Sequence, residues 1–198
     1  MQRFIYLICF LCSACANQVS NTHDDILAKR LALTIEYMKL NQPQLALHSL
    51  DIALTRAPDN LQTLLTAAFY FTHVGDELKA KYYYQHALRL YPNNAELNTN
   101  YAAYLCSVDI NSGWRPRMFH ALSIQNNRMA QSALYENIGL CEEKSGRTKA
   151  AIDAYSHALI IQPQRKTALL RLIALYKRSG EQKQMKRYLK QYRLYFAT

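Results

Sequence analysis

Five cysteines and six histidines are the side chains of this 198-residue chain with the widest chemical scope. A thiol can act as nucleophile, metal ligand, lipid acceptor or half of a disulfide, and its surroundings decide which. The histidines, at positions 23, 48, 73, 86, 120 and 157, form no pair at metal-ligand spacing on a common helix face. His86 and His157 both stand just before an Ala-Leu pair, which repetition of a structural unit explains. No HExxH, GxSxG or glycine-rich phosphate loop occurs. A Cys-His nucleophilic pair would need a free thiol at Cys106 or Cys141 and a histidine brought beside it by the fold. The chain is therefore expected not to be an enzyme, and to use no metal, no cofactor and no small-molecule substrate.

The elements that position these residues follow from a repeat. Ala-Leu pairs at 53, 87, 121 and 158 lie 34, 34 and 37 residues apart, the period of tetratricopeptide (TPR) helical hairpins. In the second unit Leu64, Ala67, Ala68, Phe71, Gly75, Ala80, Tyr84, Ala87 and Pro92 occupy the large, small and turn positions of that repeat. Small residues at Ala68 and Ala80 admit close helix approach, Gly75 supplies a left-handed turn, and Pro92 stops the second helix. The spacing predicts an all-α TPR superhelix of about five hairpins over residues 26–198, with repeats at about 27–60, 61–94, 95–131, 132–165 and 166–198 and a capping last helix. The third unit is irregular: Asp109 stands at the turn, Trp114 where Ala is usual, and Pro116 inside the expected second helix. A longer loop and a late helix start are predicted there, because proline is tolerated only in a helix's first turn. Half of the residues are hydrophobic and only five are Gly and five Pro, in keeping with a helical chain without strands.

At the N-terminus Arg3 precedes an apolar run from Phe4 to Ala16, shorter than the roughly 20 residues of a bilayer span. It reads as a secretory signal over residues 1–14. Its end, Leu11-Cys12-Ser13-Ala14-Cys15, resembles a bacterial lipobox, which makes Cys15 the expected lipid acceptor; an ordinary cleaved signal is the alternative. Ala16 follows the cysteine where an Asp would favour inner-membrane retention, so the implied address is the periplasmic face of the outer membrane. Residues 15–25 would then be a flexible tether between lipid anchor and solenoid.

With Cys9 and Cys12 in the signal and Cys15 lipidated, Cys106 and Cys141 remain. Both fall late in the first helix of neighbouring units. In an oxidising periplasm they could form a disulfide, contributing about 3 to 4 kcal/mol by the chain-entropy account. Two buried free thiols are the alternative, since the positions are two residues out of equivalence.

The segments that carry these cysteines are also distinctive. Asn98-Thr99-Asn100-Tyr101-Ala102-Ala103-Tyr104-Leu105-Cys106 and Ala133-Leu134-Tyr135-Glu136-Asn137-Ile138-Gly139-Leu140-Cys141 resemble the NNYG-aromatic-LC and ALEN-x-GLC stretches of the type IV pilus biogenesis and stability lipoproteins, the TPR pilotins of pilus secretins. The resemblance extends over nearly the whole chain. Ala102 and Asp109 depart from the glycines of that pattern, and a complete sixth repeat is lacking. What the resemblance implies is a lipid-anchored partner of the outer-membrane secretin subunit, assisting its localisation, multimerisation or stability. A general periplasmic TPR adaptor that recruits a cell-wall enzyme or protease is the alternative.

Partner contact in such a fold is expected on the first helix of each hairpin. In the first two units Leu31, Ile35, Met38, Leu65, Phe69 and Thr72 would line an apolar groove suited to an amphipathic helix or extended strand. Later units carry Thr99, Ala103, Glu136, Glu143, Leu170 and Lys177, a more polar lining. The same apolar residues could instead be covered core. The formal net charge is +10, and from Lys144 onward thirteen Lys or Arg face only Asp153 and Glu181. A basic surface of this kind attracts acidic proteins, anionic lipids or nucleic acid. The export signal argues against nucleic acid as a partner.

Overall fold

The computed structural model describes residues 25–111 and 113–196. The expected signal peptide, Cys15 and most of the tether lie outside them. Ten helices follow one another without a strand among the described residues: α1 (25–39), α2 (Pro43–Arg56), α3 (Leu61–His73), α4 (Glu77–Leu90), α5 (Ala95–Val108), α6 (Trp114–Ile124), α7 (Arg128–Lys144), α8 (Thr148–Ile161), α9 (Lys166–Arg178) and α10 (Gln182–Phe196). The fold is all-α, of the tetratricopeptide kind. Two compact units result, one ending at Tyr91 and one beginning at Pro92.

In the first unit α2 opens with Pro43, where a missing N–H costs nothing, and the carbonyl of Pro43 accepts a bond from Tyr70 Oη at 3.1 Å. Asn60 caps α3 by accepting from the amides of Gln62 and Thr63, and Asp76 caps α4 through Lys79 N. The close packing of α3 on α4 is set by Ala67, Ala68 and Ala80, all fully buried. Gly75, at φ +79°, makes the turn between them, as the repeat pattern predicts. The repeat boundary is tied by side chains: Tyr91 Oη donates to Asp59 O at 2.8 Å, and His86 Nε2 lies 2.9 Å from an Asp59 carboxylate oxygen.

The second unit contains α5 to α10, paired α5 with α6, α7 with α8 and α9 with α10. Its core runs through Tyr155, Leu159, Leu169, Leu172, Leu175 and Tyr188. The irregular third hairpin has the longer turn and the late helix expected of it: α5 ends at Val108, α6 begins at Trp114, and Pro116 sits in the first turn of α6. Asp109 accepts from Asn111 N, while Gly113, at φ +79°, takes the left-handed conformation that Asp109 leaves vacant. Trp114 is buried rather than displaced. The extra residues before the fourth unit do not become loop. They extend α7, which at 17 residues is the longest of the helices from α2 onward.

Candidate functional site

The first helices of the hairpins in the second unit, α5, α7 and α9, together line a pocket of about 530 Å³. From α5 come Ala103, Cys106 and Ser107, and from α7 come Asn137, Leu140, Cys141, Glu143 and Lys144. Arg171 and Arg178 of α9 complete the wall. Cys106 and Cys141 are joined as a disulfide with Cα atoms 5.9 Å apart, so α5 and α7 are covalently stapled beneath the pocket. The Lys144 ammonium donates to the carbonyls of Cys106 and Ser107, at 2.8 and 2.7 Å, and occupies the last-turn carbonyls of α5.

Glu143 organises the polar wall. One carboxylate oxygen accepts from Arg178 at 2.8 Å and lies 3.9 Å from Arg171, and the other accepts from Tyr155 Oη at 3.1 Å. Burial pushes the Tyr155 phenol far above its ordinary range, and the neighbouring Glu143 charge and its hydrogen bond add to that. With Lys144, Arg171 and Arg178 set against one carboxylate, the pocket has a net positive rim above an apolar disulfide floor.

Two further carboxylates fix the elements that build this wall. Glu142, beside Glu143 in sequence, points the other way into the core with 1% exposure. It accepts from Arg115 of α6 and, at 2.5 Å, from Arg147. Glu136 receives a two-pronged bond from Arg165, at 3.0 and 3.2 Å, just ahead of α9. Arg147 and Arg165 occupy the N-cap positions of α8 and α9, where Asn60 and Asn94 cap other helices, so capping is exchanged there for cross-hairpin ion pairing.

In the first unit the six residues expected to line a groove separate. Met38 and Leu65 are core residues, 5% and 6% exposed, and are corrected from groove to interior. Leu65 is covered because α3 packs on both α2 and α4, which buries nearly every residue from Thr63 to Phe71. Met38 belongs to the last turn of α1, where the chain reverses. Thr72 is half-buried and its hydroxyl donates to Ala68 O at 2.7 Å. Leu31 and Ile35, one turn apart on α1, stay half-exposed, and Phe69 is 49% exposed. Of the six, Phe69, Leu31 and Ile35 are the apolar residues that keep surface for a contact.

Arg115, Glu142, Lys144, Arg171 and Arg178 had no local signal in the sequence. Apart from the Glu142–Arg147 bond, five residues apart, their partners lie 27 to 38 residues away, from Arg115–Glu142 to Lys144–Cys106. Among the described residues no cluster of His, Cys, Asp and Glu could hold a metal ion, and no helix is long and apolar enough to cross a membrane.

No protein-family model matches the chain. It is 28% identical over 134 residues to an uncharacterised protein of Haemophilus influenzae, covering 67% of this chain and 74% of that one. Among solved structures it is similar to PilW, a widely conserved type IV pilus biogenesis factor, with a TM-score of 0.68, 24% identity, and 87% of this chain and 79% of that one covered. Pseudomonas aeruginosa PilF is similar with a TM-score of 0.77, 19% identity and coverage of 89% and 79%. MamA of Desulfovibrio magneticus is also similar, with a TM-score of 0.67, 16% identity and coverage of 85% and 93%. At these identities the likeness is one of fold: the chain is an all-helical, TPR-like protein.

Proposed function

We propose that this protein is a non-enzymatic lipoprotein of type IV pilus biogenesis, held by Cys15 at the periplasmic face of the outer membrane, where it binds the pilus secretin subunit and assists its localisation, multimerisation or stability. The observation that carries the reading is the disulfide between Cys106 and Cys141, which end the two segments that resemble the pilotin lipoproteins. The fold shared with PilW and PilF over most of each chain supports it. So does the chemistry of the first-helix surfaces, which offer apolar and charged side chains for contact. The lipid would restrict the solenoid to a short distance from the membrane in which a secretin sits.

The test is deletion of the gene in its own bacterium, followed by complementation with wild type or Cys15→Ala. The reading predicts loss of surface pili and of heat-stable secretin multimers on deletion, rescue by wild type, and labelling of the wild type but not the variant by a radioactive fatty acid. Normal pili and multimers after deletion, with cell-wall enzymes or a protease co-purifying instead, would move the assignment to a general envelope adaptor.

A further inference from the structure

We propose that the outward face of α10 is a docking surface for an anionic lipid bilayer. The helix, Gln182–Phe196, contains no acidic residue. At 100° per residue, Lys183, Lys186, Arg187, Lys190 and Arg193 fall in one stripe about 15 Å long. All five are exposed, and among the described residues none is in an ion pair with a carboxylate. The opposite face is already used: Tyr188 is buried and stacks on Tyr176 of α9 with ring centres 5.7 Å apart. The stripe is therefore fixed in its orientation by the core and cannot roll inward.

One apolar member of the stripe selects a bilayer over other polyanions. Leu194, 76% exposed, falls between Lys183 and Arg187 on the same face. An apolar tip among cations gains free energy at a headgroup boundary, where the aliphatic chain enters the interface while the cations meet phosphate. A duplex offers the phosphates without that apolar layer. A band of cations about 120° wide on one convex helix face, with flexible side chains, suits a plane better than a cleft-bound peptide. The proposal is independent of the lipid anchor and of the secretin partner.

The experiment is co-sedimentation of the full chain carrying Cys15→Ala, which cannot be acylated there, with vesicles of phosphatidylcholine alone or with 30% phosphatidylglycerol. Each Lys or Arg brought to an anionic surface favours binding, so the anionic vesicles should bind at least ~30-fold more tightly, with the difference shrinking as salt rises. Replacing the five stripe cations by Gln should abolish the difference. Replacing Lys29, Arg56, Lys81, Arg89 and Lys149 by Gln, an equal loss of charge elsewhere, should preserve most of it, and circular dichroism checks that both variants remain helical. Equal losses in both variants would mean that net charge alone acts and would overturn the proposal. So would stripe-dependent binding to a duplex DNA probe without binding to anionic vesicles.

Discussion

At Glu142 a carboxylate is held in the core between the guanidinium groups of Arg115 and Arg147. Removing both arginines would leave the Glu142 carboxylate buried without compensation, so the double change Arg115→Ala, Arg147→Ala is expected to cost about 3 to 5 kcal/mol in urea unfolding, and Glu142→Ala less, because it strands only half-exposed guanidinium groups that water can reach. The double change Arg115→Ala, Glu142→Ala should cost less than the sum of the single changes. Gly139 is required for a different reason. A Cβ there would stand 2.5 Å from the Tyr155 ring, which is itself fully buried, so Gly139→Ala should destabilise by about 1 to 3 kcal/mol through overpacking. Tyr155 also sets an alkaline limit. Its folded-state pKa is raised above the ordinary value of 10.0, so its contribution is complete below pH 10 and declines as the unfolded chain ionises first above it. Urea melts between pH 8 and pH 11 should show that decline, and Tyr155→Phe should lessen it.

The helical hairpins are legible in the sequence wherever repeat residues act through local geometry. Ala68, Gly75 and Ala80 give the second hairpin its close approach and its turn, and Pro116 gives the third its late start. What escapes such a reading is set by partners distant in sequence. The periodicity that places Leu65 on a first-helix face does not reveal that α3 is covered from both sides, which makes Leu65 core rather than groove. Similarly, nothing near Glu142 distinguishes it from Glu143, although one is buried in an ion triad and the other opens onto the pocket. The disulfide acts at this scale too. It fastens α5 to α7 across the irregular hairpin, closing a separation of 35 residues. Reduction should therefore lower stability by about 3 to 4 kcal/mol, read as a fall in urea midpoint with dithiothreitol. The Cys106→Ala, Cys141→Ala double variant should show the reduced midpoint with or without it.

On the scale of the whole molecule, surface chemistry divides the work. The first unit exposes Phe69 and part of Leu31 and Ile35, the second has a cationic pocket lined by the disulfide, and α10 carries a basic stripe. Substitutions at well-separated sites that share no partner usually add, so changes at the pocket and at the stripe are expected to act independently. The fold alone does not choose the partner: PilW, PilF and MamA all resemble it. The choice rests on the cysteine-bearing segments, and the partner must decide it. The most direct measurement is affinity purification of the lipidated protein from envelopes of its own bacterium, with Phe69→Glu and the pocket variant Arg171→Glu, Arg178→Glu as separate controls. The account predicts an outer-membrane secretin enriched with wild type and depleted by about tenfold or more with at least one control, as expected for loss of a contact worth about 1.4 kcal/mol or more. Absence of any secretin from the wild-type purification, with the protein folded and acylated, would contradict it.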